Sequence, residues 1–134
     1  MNKGEYGRLM AKQCFPSIKL VENGNTIDKM GVDAYEGNES IQIKFDERMS
    51  KTNNIYHEIY EKSINHPEQL WRNSPHKCDA YIYCTTYFVI KITTDALAQE
   101  EIGLTLIKIS DTSIGFLIPI KNIPVKNYIY IPYK

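Results

Sequence analysis

The stretch from Cys78 to Ile92 constrains the fold more than any other. Asp79-Ala80-Tyr81-Ile82-Tyr83-Cys84 is followed by a Thr85-Thr86 break and then by Tyr87-Phe88-Val89-Ile90-Lys91-Ile92. β-Branched and aromatic residues pack well on a pleated surface and lose rotamer freedom in a helix, so two adjacent strands are expected here. The chain of 134 residues has room for one domain, residues 1–134, around them. A domain of this size buries roughly two-thirds of its unfolded surface, so it needs no disulfide or metal to fold. Cys14, Cys78 and Cys84 are odd in number, show no CxxC spacing, and read as reduced, mostly buried thiols. No apolar run approaches the roughly 20 residues of a membrane span. The start Met1-Asn2-Lys3-Gly4-Glu5 lacks the apolar stretch of a signal peptide, so a cytoplasmic location is expected.

The flanking segments fill in the rest. Lys3 to Cys14 carries Tyr6, Leu9, Met10 and Gln13 at helical spacing, and Phe15-Pro16 ends that helix. Ser17 to Val21 reads as a short extended piece and Glu22-Asn23-Gly24-Asn25 as a turn. Gly31 to Tyr35 and Ser40 to Asp46 flank Glu36-Gly37-Asn38-Glu39 as a β-hairpin, with Ile41, Ile43 and Phe45 on one face and Gln42, Lys44 and Asp46 on the other. Glu47 to Asn54 reads as a loop, Ile55 to Glu61 as a strand or the start of a helix, with its β-branched and aromatic content favouring the strand, and Ser63 to Lys77 mostly as a loop. Thr93-Thr94-Asp95 caps a helix that Gly103 ends. Leu104 to Ser110, Ile114 to Pro119 and Tyr128 to Ile131 are expected to be extended. This order gives an α/β or α+β domain with a mixed sheet at its centre.

Sixteen basic and sixteen acidic residues cancel. That balance excludes a protein that coats nucleic acid by bulk charge, while a nuclease, whose acidic site offsets a basic face, stays compatible with it. The window that carries chemistry runs from Asp33 to Lys44 as Asp, eight residues, then Gln-x-Lys. Phosphodiester hydrolysis needs oxygen ligands for a hard cation and a positive group beside the attacking water or the developing negative charge. On a hairpin, Asp33 falls opposite Gln42, and Gln42 and Lys44 share one face about 7 Å apart. Asp33, Gln42 and the backbone carbonyl of Ile43 are the candidate ligands for Mg2+ or Mn2+, and Lys44 is the candidate catalytic cation.

This layout resembles the PD-(D/E)xK nuclease superfamily, which includes many restriction enzymes and Holliday-junction resolvases. The resemblance spans roughly Asn2 to Leu97. It implies a restriction-endonuclease-like mixed β-sheet flanked by helices. It further implies a metal-dependent DNA endonuclease of phage or mobile-element type, working as a homodimer. The superfamily's helix-borne Glu corresponds to Glu5, its strand Asp to Asp33 and its (D/E)xK to Gln42-Ile43-Lys44. Gln42 stands where Asp or Glu is usual, and restriction endonucleases of the Mrr type carry such a QxK form. The superfamily's namesake proline is missing. A second similarity is to small phage-type nucleases. It runs through Ile43-Lys44-Phe45-Asp46, Thr52-Asn53-Asn54-Ile55, Glu58, Trp71, Ser74 and Asp79-Ala80-Tyr81. It adds Glu58 as a site residue and implies a strand from Asn54 to Glu58 beside Lys44.

Other chemistries lack support in the sequence. His57, His66, His76 and Cys78 have no zinc-ligand spacing. There is no Gly-x-Ser-x-Gly elbow and no glycine-rich phosphate loop. Trp71 reads as a core or loop anchor. The alternatives to a nuclease are a non-catalytic nucleic-acid-binding module on the same fold, marked by the neutral Gln42, and a small viral or structural interaction protein.

Overall fold

A computed structural model describes residues 1–22, 31–66, 68–73 and 78–133, with Arg72 and Asn73 described by backbone alone. The Asn23-Gly24-Asn25 part of the expected turn, Ser74 and His76 lie outside the described residues. The elements in chain order are α1 (Lys3–Cys14), β1 (Lys19–Leu20), β2 (Ala34–Glu36), β3 (Glu39–Phe45), α2 (Arg48–Thr52), β4 (Asn54–Glu61), β5 (Arg72–Asn73), β6 (Ala80–Cys84) and β7 (Phe88–Thr93). They continue with α3 (Thr94–Glu101), β8 (Ile107–Ser110), β9 (Ser113–Pro119), two 3-10 turns (Ile120–Asn122 and Val125–Asn127) and β10 (Tyr128–Pro132).

The strands form two sheets. One is six-stranded in the order β1-β2-β3-β6-β7-β10, and the other is four-stranded in the order β5-β4-β9-β8. In the larger sheet β3 and β6 run parallel, and the other pairings are antiparallel. The fold is therefore a mixed α/β architecture. The strand expected beside Lys44 is not β4. β6 takes that place, with Gln42 paired to Tyr81 and Lys44 to Tyr83, while β4 belongs to the second sheet and pairs with β9. The reason lies in β6. Its five residues are all buried, so both of its faces need cover, and it takes a central place that the alternating pattern of β4 does not demand.

Each face of the large sheet has its own core. On one face Ala34, Ile41, Ala80, Ile82, Cys84 and Val89 pack against Ala11 of α1 and against Phe15 and Ile18. The other face packs Tyr81, Tyr83, Phe88, Ile90 and Ile92 against Met49, Ile55, Leu97 and Ile118. Truncating any one of these buried large side chains to alanine costs about 2–5 kcal/mol. The buried residues of α1 are Gly7 and Ala11, with Leu9 of the expected stripe left 42% exposed. Small residues face the sheet there because the helix lies close, with Tyr6 edge-on to Phe45 at 5.4 Å.

Local chemistry sets the boundaries. Gly37 takes a φ of 59° in the two-residue turn between Glu36 and Glu39, a conformation that favours glycine at the first turn position. Thr93 caps α3 by accepting the Ala96 N–H at 3.1 Å. The segment Glu47 to Asn54, expected to be a loop, contains α2. Asp46 Oδ1 accepts the Arg48 N–H at 3.1 Å, Asn53 ends the helix at a φ of 56°, and Met49 anchors it in the core. With one buried residue in five, α2 has no periodicity to read. No helix among the described residues is long and apolar enough to cross a membrane.

Candidate functional site

Alternation along β3 sends Ile41, Ile43 and Phe45 toward α1 and leaves Gln42 and Lys44 on the opposite face. There the core between the sheets gives way to a cleft of about 330 Å³, lined by Gln42, Lys44, Asp46, Tyr56, Glu58 and Ser113 among others. This volume is in the range of small-ligand sites. Tyr81 and Tyr83, paired with Gln42 and Lys44, form its floor with rings stacked at 5.8 Å. Burial foremost pushes both phenols well above their ordinary pKa.

The second sheet supplies the facing wall. In β4, Ile55, His57 and Ile59 are buried while the alternate residues Tyr56 and Glu58 reach the cleft. His57 fixes the strand from behind: its Nδ1 lies 2.6 Å from Glu101 Oε1 of α3, and its ring meets Tyr81 edge-on at 5.1 Å. The β4–β9 register shifts between Glu58 and Tyr60, a bulge that re-aims the strand just after Glu58. Ser113 Oγ donates to Glu58 Oε2, and Tyr56 Oη lies 2.6 Å from the same Ser113 Oγ. Burial raises the Tyr56 pKa, and the nearby Glu58 charge raises it further against the Ser113 hydrogen bond. Lys44 and Gln42 are half-buried, and neither side chain makes a hydrogen bond or ion pair within the described residues. Half-buried polar groups that line a cleft are open to solvent and to any molecule that enters it.

Asp33 sits apart from that lining, just before β2. Its Oδ2 accepts the Ile43 N–H at 2.8 Å, and its Oδ1 lies 3.8 Å from Arg8 Nη1 of α1. Arg8 also donates to the Asp33 carbonyl at 3.4 Å and to the Val21 carbonyl. The N–H and C=O of a strand residue point to the same edge, so the Ile43 carbonyl faces the edge where Asp33 lies. Burial first, and then the Asp33 charge, push the Cys78 thiol up to about 11, while Lys44 acts in the opposite sense. Glu5 is exposed at the start of α1, where it accepts from Asn2 Nδ2 at 2.9 Å and its N–H donates to Asn2 Oδ1 at 2.8 Å. That is a helix cap on an element packed against the other face of the sheet. Asp46 lines the cleft with Oδ1 turned to the Arg48 N–H and, at 3.4 Å, to Arg48 Nε.

The structure thus brings Gln42, Lys44 and Glu58 to one cleft, places Asp33 and Ile43 at the adjoining strand edge, and leaves Glu5 elsewhere. It adds Tyr56 and Ser113. Tyr56 was accessible to sequence reasoning, being two residues before Glu58 on a strand and hence on its face. Ser113 had no such signal. Among the described residues no three His, Cys, Asp or Glu side chains gather around one point. Magnesium is commonly held by one or two carboxylates, with water and substrate phosphate completing its shell. Glu58 and the Gln42 amide oxygen, which both line the cleft, are donors of that kind, while Asp33 and Ile43 fall outside the lining. No protein-family model, curated protein or solved structure matches the chain.

Proposed function

We propose that this protein is a metal-dependent endodeoxyribonuclease of restriction-endonuclease-like fold, acting in the reducing cytoplasm as a homodimer. The observation that carries the reading is the Lys44 ammonium, half-buried and without an ion pair among the described residues, in a cleft it shares with Gln42 and Glu58. An unpaired ammonium there is suited to an anion that arrives from outside, such as a phosphodiester.

Gln42 and Glu58 would hold Mg2+ or Mn2+ in the cleft, with the Ile43 carbonyl and Asp33 at the adjoining edge. The cation would supply Lewis-acid polarisation of a phosphate oxygen and a water acidic enough to attack. Lys44 stabilises the negative charge that grows on the phosphate as the water adds. Tyr81 and Tyr83 close the floor of the cleft beneath it. Arg8 holds Asp33 through its carbonyl and carboxylate, which fixes the strand edge.

The test is cleavage of plasmid and branched DNA with Mn2+, beside Lys44→Ala. Loss of one electrostatic donor of this kind lowers the rate by about 100- to 1000-fold. DNA affinity and melting temperature should stay close to the unsubstituted protein, because a wet ammonium contributes little to stability. Near-normal cleavage by Lys44→Ala would remove Lys44 from the site. Binding of DNA with no cleavage under any metal would select the non-catalytic module.

A further inference from the structure

A chain of two hydroxyls ends on Glu58. A carboxylate can only accept hydrogen bonds, so the single Ser113 proton is committed to Glu58 Oε2. Ser113 Oγ then has only lone pairs left for Tyr56, and Tyr56 must be the donor in their 2.6 Å contact. The order Tyr56 O–H to Ser113 O–H to Glu58 is thereby fixed in one direction. The residues come from facing strands, β4 and β9, separated by 57 positions between Tyr56 and Ser113. Ser113 is buried, and no other hydrogen bond or ion pair to Glu58 is formed among the described residues, so Oε1 is left over for the cleft.

We propose that Ser113 and Tyr56 are positioning residues that hold Glu58 as the charged cation ligand of the cleft and so supply the negative charge that Gln42 lacks. The proposal rests on the nuclease reading and extends it to two residues outside the Gln-x-Lys motif. Aligned donors polarise one another, and engaging Oε2 fixes the plane of the carboxylate, so Oε1 is presented in one orientation rather than many. Gly115 makes the arrangement possible: it pairs with Glu58 across the strands, and a Cβ there would meet His57 O at 2.2 Å.

The experiment is calorimetric titration of the metal-free protein with Mn2+, beside cleavage rate and melting temperature. The proteins are wild type, Ser113→Ala, Ser113→Thr, Tyr56→Phe, Glu58→Gln and the double variant Glu58→Gln/Ser113→Ala. Residues that orient a ligand typically change metal affinity or activity by about 10- to 100-fold. Ser113→Ala should weaken Mn2+ binding by about tenfold or more, Tyr56→Phe by less, and Ser113→Thr should restore it. The double variant should bind no more weakly than Glu58→Gln alone, because the hydroxyl acts only through that carboxylate. A purely structural role would instead add its loss on top. The proposal is overturned if Ser113→Ala and Tyr56→Phe bind Mn2+ like wild type, or if the double variant shows the summed loss, while wild type still binds and cuts. In that case the nuclease reading stands alone. A wild-type protein that neither takes up Mn2+ nor cuts DNA removes both.

Discussion

Gly115→Ala tests the joint between the two strands that form the outer wall of the cleft. The added Cβ would stand 2.2 Å from His57 O and 2.9 Å from Glu58 Cα, both backbone atoms. A relaxed carbon–oxygen contact is about 3.3 Å, so β4 and β9 must separate by about 1 Å at the Glu58–Gly115 pair. Ladder hydrogen bonds of about 2.9 Å would stretch beyond their useful range. Losing two of them, at about 1 kcal/mol each, gives a destabilisation of about 2 kcal/mol. For a domain of this size that corresponds to a melting temperature lower by roughly 6–10 °C. The same displacement pulls Ser113 away from Glu58, so Mn2+ affinity should fall at temperatures where the protein is still folded. Urea denaturation measures the first effect and calorimetry at low temperature the second. A variant that melts within about 1 °C of wild type would refute the reasoning, because the strands would then tolerate a side chain where the geometry leaves no room.

Three further outcomes are expected. Gln42→Glu should tighten Mn2+ binding by about tenfold, since a carboxylate adds a full charge for a hard cation, and equal affinities in calorimetry would remove position 42 from the ligand set. Burial pushes Cys84 up to about 12, and burial together with the Asp33 charge pushes Cys78 up to about 11. At pH 8 the thiolate fraction of Cys78 is then on the order of 1 in 1000, so iodoacetamide should modify both thiols only after unfolding, and rapid labelling of either in the native protein, read by mass spectrometry, would contradict the packing. Lys91 Nζ lies 2.6 Å from Glu36 Oε1 and 2.7 Å from Glu39 Oε1, and its hydrogen bond, followed by that of Ser17, holds the Glu36 carboxyl below the ordinary range. A depressed carboxylate contributes stability above its unfolded pKa and loses it as pH falls through the folded one, so Lys91→Met should flatten the loss of stability between about pH 5 and pH 3, and parallel pH profiles would count against the ion pair.

The first helix, the hairpin with Gln42 and Lys44 on one face, the paired strands β6 and β7, and the capped α3 were legible because each rests on short-range rules. Alternation assigns Gln42, Lys44, Tyr56 and Glu58 to faces, Thr93 announces a cap, and Gly37 announces a turn. The helix α2 leaves no periodic signal in the sequence because a single buried methionine makes no pattern. Its ends depend on a side-chain contact from Asp46 and a left-handed Asn53. The partner of β3 was beyond local reasoning as well. Which strand lies beside Lys44 depends on burying both faces of β6, a demand set by the competition of all strands for two cores. The meeting of Glu58 with Ser113 is of the same kind: alternation turns Glu58 to one side, but only the packing of the second sheet decides what stands there. The sequence alone determined the residue types, their faces and their spacing, because these follow from bonds between near neighbours. The tertiary structure alone decided which faces meet, because that is set by the burial of surfaces contributed from the whole chain.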